Sequence, residues 1–121
     1  MTPPIYSVCA ANSGVTALIG SSPVRLYQFG EAPQGVSLPY AVWQIIGGSP
    51  ENYLNQVPDV DGFSIQIDVY GSTASSVRNA AKAIRDAIEP TAYVTSYNGE
   101  SRDYETKLYR YGFSVDWLVH R

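Results

Sequence analysis

The clearest pattern in the chain is FSIQIDVY, residues 63–70, where Phe63, Ile65, Ile67 and Val69 alternate with Ser64, Gln66, Asp68 and Tyr70. A two-residue period of this kind predicts a strand with one packed face and one polar face. The same period returns near the end of the chain, in LYRYGFSVDWLVH, as Tyr109, Tyr111, Phe113, Val115, Trp117 and Val119. Three further strands are expected at VRLYQF (24–29), PYAVWQIIG (39–47) and TAYVTSY (91–97), all rich in β-branched and aromatic residues.

Helical spacing marks two other segments. Ser72 or Thr73 is placed to cap a helix with Val77, Ala80, Ala81, Ile84, Ala87 and Ile88 on one side and Arg78, Lys82, Arg85 and Glu89 on the other; Pro90 ends it. Near the N-terminus, Thr2 can cap a helix with Pro3 in its first position, followed by Ile5, Val8, Cys9, Val15, Leu18 and Ile19, and Gly20 is a stop. Asn12, Ser13 and Gly14 weaken its middle, so the segment reads as one helix or as two short pieces. The predicted order is α-β-β-β-α-β-β. That is an α+β fold with an antiparallel or mixed sheet of about five strands and two helices on its apolar face. Between the strands lie GEAPQGVSL, the long loop GGSPENYLNQVPDVDG (47–62), in which Gly47-Gly48 reads as a turn, and the polar turn NGESRDYETK (98–107).

With 121 residues, 45% of them hydrophobic, the chain suits one domain spanning residues 1–121. Only 16% of residues are charged, while ten Tyr, three Phe and two Trp are present, a balance that favours a surface covered by partners. The net charge is −3 and the eight Lys and Arg are scattered, so no basic stripe exists to hold a phosphate backbone. A mildly acidic surface suits the passage of DNA better than its capture. One Cys, no basic-then-apolar leader and no long apolar run predict a soluble protein of a reducing cytoplasm, with no membrane partner.

Candidate chemistry is sparse. The single His, His120, sits beside the C-terminus, a poor place for a triad base, and Cys9 lies among apolar residues as a buried, inert thiol. No phosphate loop, dinucleotide motif or zinc cluster occurs, so no catalytic residue, cofactor or metal is expected. Glu51, Asp59 and Asp61 share one loop, which leaves a small carboxylate enzyme or ligand-binding domain as an alternative from another class; their spacing misses the calcium-loop pattern. Asp68 and Asp116 fall on polar strand sides, and Arg110 shares the side of Asp116, which predicts a cross-strand ion pair or an acidic functional face.

Taken together, the N-terminal ALIG segment, PVRLYQFGEAPQGVSLPYAVWQIIGGSPENYLN, FSIQIDVYGSTASSVRNAAKAIRDAIE and ETKLYRYGFSVDWLV resemble the tail-completion or tail-terminator family of long-tailed bacteriophages and prophages over almost the full length. The resemblance implies a virion protein, assembled in the host cytoplasm, that forms a hexameric ring on the head-proximal end of the tail tube. Such a ring stops tube polymerisation and offers a docking surface to a head-completion or neck protein, with DNA only as passing cargo. A head-completion or neck subunit is the runner-up. The family carries no defined catalytic residues, so none transfers. A ring needs a closing heterologous interface. Phe29, Glu31, Tyr53, Leu54, Tyr97 and Tyr104 are the candidate contacts, local packing being the competing reading, and Gln66, Asp68, Ser114 and Asp116 are candidates for the lining of a bore.

Overall fold

The computed structural model describes residues 2–121 apart from Ser22, Tyr53 and Asn55. Among these, three helices and five strands follow in the order α1 (Ile5–Ala10), α2 (Ser13–Ile19), β1 (Leu26–Gln28), β2 (Tyr40–Pro50), β3 (Val60–Gly71), α3 (Ala74–Ile88), β4 (Tyr93–Arg102) and β5 (Tyr109–His120). The strands form one mixed sheet ordered β1-β2-β3-β5-β4; β1 runs parallel to β2 and every other pairing is antiparallel. The α+β class and the five strands agree with the sequence pattern.

Several boundaries differ, each for a local reason. The N-terminal helical segment is divided, because the Asn12 side chain accepts from the Val15 N–H and starts a second helix. Thr2 caps nothing: α1 opens at Ile5 after Pro4, without a side-chain cap. Leu18, expected on the packed side, is exposed, whereas Ile5, Cys9, Val15 and Ile19 are buried. Gly47 and Gly48 are not a turn but strand residues paired with Ser64 and Phe63, so the loop expected over 47–62 shrinks to 51–59. Close approach explains a glycine there, since a Cβ on Gly48 would come 2.7 Å from the Gly62 carbonyl oxygen. β4 likewise runs on to Arg102, absorbing two bulges, after Val94 and after Tyr97.

The core lies between the helices and one face of the sheet. Trp43 of β2, Ile65, Ile67 and Val69 of β3, and Phe113, Val115 and Trp117 of β5 meet Val77, Ala80, Ala81, Ile84, Ala87 and Ile88 of α3, while α1 and α2 pack against α3. Burying each large apolar side chain stabilises the fold by roughly 1.5–3 kcal/mol. Thr73 caps α3 through a box with Ser76, the Ser76 N–H donating to Thr73 Oγ1 at 3.1 Å. Arg25 ties the layers together, donating from Nε to the Pro39 carbonyl and from Nη2 to that of Leu18. Cys9 is fully buried, and loss of hydration pushes its thiol up to about 12, which leaves it unreactive.

Candidate functional site

The helices cover one face of the sheet, and the other stands open. Because β2, β3 and β5 are paired in register, their alternate residues line up in rungs: Tyr40, Tyr70 and Arg110; Val42, Asp68 and Gly112; Gln44, Gln66 and Ser114; then Ser64 and Asp116. Gln66, Asp68, Ser114 and Asp116 thus share the face opposite the helices, where Asp116 is exposed and Gln66 half-buried while Asp68 and Ser114 are each only 9% exposed beneath their neighbours.

Hydrogen bonds hold these side chains in fixed positions. Arg110 Nη2 lies 2.7 Å from Asp68 Oδ1, and Gln66 Nε2 donates to both Asp68 oxygens at 3.2 and 3.1 Å. Ser64 Oγ donates to Asp116 Oδ1 at 2.8 Å, and Asn98 Nδ2 to Ser114 Oγ at 2.9 Å. The cross-strand ion pair expected on this side is present, and it joins Arg110 of β5 to Asp68 of β3. Asp116 is six residues farther along the strand, about 20 Å away at the rise of a β-strand. Asp68 instead lies diagonally across from Arg110, over the space left by Gly112, where a Cβ would meet the Asp68 carboxylate at 2.7 Å. Beside this pair, Tyr40 and Tyr70 stack with ring centroids 5.3 Å apart and Tyr27 meets Tyr40 edge-on. Burial and then the Asp68 carboxylate push the Tyr70 phenol above its ordinary value.

The remaining candidates lie apart from this face and from each other. Phe29 and Glu31 are exposed in the segment after β1, Leu54 is 93% exposed in the β2–β3 loop, and Tyr104 is 90% exposed in the β4–β5 turn. Tyr97 sits within β4, in the strand expected over 91–97, and Arg85 Nη1 donates to its hydroxyl at 3.5 Å. Tyr53 lies outside the described residues. Sequence reasoning missed Ile45 and Ile46, which are exposed where β2 runs past the helices, beside an open groove of about 520 Å³. The adjacent Ile-Ile-Gly-Gly, apolar yet followed by two residues that cover nothing, was the available signal.

The three loop acids form no site. Asp61 is held by Arg121 through Nη2–Oδ1 at 2.9 Å, an arrangement that keeps its carboxyl below the usual range, while Glu51 and Asp59 are exposed. Among the described residues no group of three or more His, Cys, Asp or Glu converges as a metal ion would need, and no helix is long and apolar enough to cross a membrane.

Over residues 3–120 the sequence matches the family described as Tail completion protein gp17. The chain belongs to that tail-completion family. The tail-completion protein is therefore a structural component of the phage virion tail and not an enzyme. No curated protein matches it in sequence. A chain of the virion of a native gene transfer agent particle shares its fold, with a TM-score of 0.68 over 97% of this chain and 92% of that one, at 14% identity.

Proposed function

We propose that this tail-completion protein assembles as a ring, a hexamer, on the head-proximal end of the tail tube, where it ends tube polymerisation and presents a surface to the head or neck. The observation that carries the reading is the two-faced sheet. One side is sealed by helices; the other is open, polar and braced by side-chain hydrogen bonds, with Asp68 and Asp116 set against one guanidinium from Arg110. A ring with that face inward gives DNA a rigid wall that offers it little to bind. Phe29, Glu31, Leu54, Tyr97 and Tyr104 supply exposed surface for neighbouring copies, the tube protein and the head-completion protein. Family membership and the shared fold of a virion chain support a place among such structural partners.

The test is to add the purified protein to polymerising tail tubes and, separately, to DNA-filled heads. Capped tubes of fixed length, with six-fold end views, are expected. Binding to heads with no effect on tubes would reject termination in favour of a neck role.

A further inference from the structure

The two outer edges of the sheet are unequal. β1 covers the outer side of β2 only from Ala41 to Trp43, and the Phe29 N–H adds one bond to the Trp43 carbonyl. From Gln44 to Pro50, β2 stays paired to β3, yet no strand pairing among the described residues engages its outer side. This stretch, QIIGGSP, carries no charge, and Ile45 and Ile46 are 38% and 52% exposed. Backbone groups on such a rim need partners, and a neutral apolar edge without charges to repel a strand is a template for one. A groove of about 520 Å³, walled by Ile45, Ile46, Pro50 and Phe63, adjoins it and can take apolar side chains of an incoming strand.

β4 is the edge at the other side of the sheet, and it displays the large side chains of Tyr93 and Tyr97, 69% and 57% exposed. We propose that the outer side of β2 beyond Trp43 receives β4 of a second copy, head to tail, so that the sheet continues from one subunit to the next. Opposite edges of one sheet generate a heterologous contact that repeats, as a ring requires. The residual charges also match. Around the end of the β2–β3 hairpin, Glu51, Asp59 and Asp61 face Arg121, so carboxylates are in excess; on the α3–β4 flank, Arg78, Lys82, Arg85 and Arg102 outnumber three carboxylates. Continuation in this sense keeps every polar face on one side and every helix on the other. The inference rests on the ring reading but specifies an edge that reading leaves open.

Two variants at exposed positions test it. Ile46→Lys places a charge on the β2 rim, and Tyr97→Asp places a carboxylate on β4. In light scattering after size-exclusion chromatography, the wild type should self-associate and each variant alone should lose at least roughly tenfold in association. An equal mixture should form a species of two chains, since each contributes its intact edge. Retained wild-type assembly by either variant, no self-association of the wild type, or a mixture that stays monomeric overturns the proposal. A stable dimer of Tyr97→Asp alone also overturns it, because β2 edges would then pair with each other. Tube capping separates the two ideas. If Ile46→Lys caps tubes as well as the wild type, the edge assignment fails while termination stands; if the wild type assembles through these edges and leaves tube lengths unchanged, termination fails while the edge stands.

Discussion

The covered and open faces of the sheet come from the same strands, yet they are built on opposite physics. On the covered face, Ile65, Ile67, Phe113 and Val115 are almost wholly out of water, and what matters is shape and volume. On the open face, Gln66, Asp68, Ser114 and Asp116 are placed by directional bonds whose net contribution to stability is small. One face keeps the subunit folded. At its exposed positions, such as Asp116, the other can vary in charge at little cost to the fold, which frees those positions to serve the assembled particle.

Substitutions sharpen this contrast when ranked by their effect on stability. Phe113→Ala on the covered face should cost about 3–5 kcal/mol in denaturant unfolding, while the folded fraction keeps its open-face bonds. Thr73→Ala, which removes the cap of α3, should cost about 1 kcal/mol by the same measurement. Gly112→Ala crosses the divide, since its Cβ meets the Asp68 carboxylate; a loss of order 1 kcal/mol is expected, with the Asp68–Arg110 contact broken in a structure of the variant. Asp116→Lys should change stability by no more than about 0.5 kcal/mol, yet slow DNA release from assembled particles, because it turns a repelling wall into a binding one. Unchanged release would remove Asp116 from the bore.

Acid should act on the periphery of the subunit and leave the covered face intact. Arg121 holds Asp61 below its ordinary 3.8, and Arg78 holds Glu100 below its ordinary 4.5. Carboxyls lowered in the folded state contribute stability above their unfolded values and lose it as pH falls through the lowered ones. Thermal unfolding should therefore be flat down to about pH 5 and decline below it. Arg78→Gln and Arg121→Gln should shallow that decline.

Period-two alternation made the covered face readable in advance, because a packed face imposes one residue type at every second position: FSIQIDVY and the aromatic series of β5 keep their faces, and α3 buries all six of its predicted residues. Four members of the open face were also legible as polar partners of those positions. What stayed hidden depends on register between strands. The cross-strand ion pair was legible as a type of contact, but its diagonal geometry over Gly112, which brings Arg110 to Asp68, is encoded by no linear spacing. The glycines of β2 hid its full length for a related reason: they suggest a turn locally, and only pairing with β3 makes them strand.

The position of β3 has a mechanical consequence. It is registered along nearly its whole length against β2 on one side and β5 on the other, and antiparallel bonds lie across the strand direction. A pull on the loop at 51–59, directed along the strands, draws β2 and β3 together and therefore loads the long β3–β5 row of bonds in shear and all together, instead of unzipping them singly. Any tug transmitted to that tip is shared by the longest strands in the subunit before it reaches the helices.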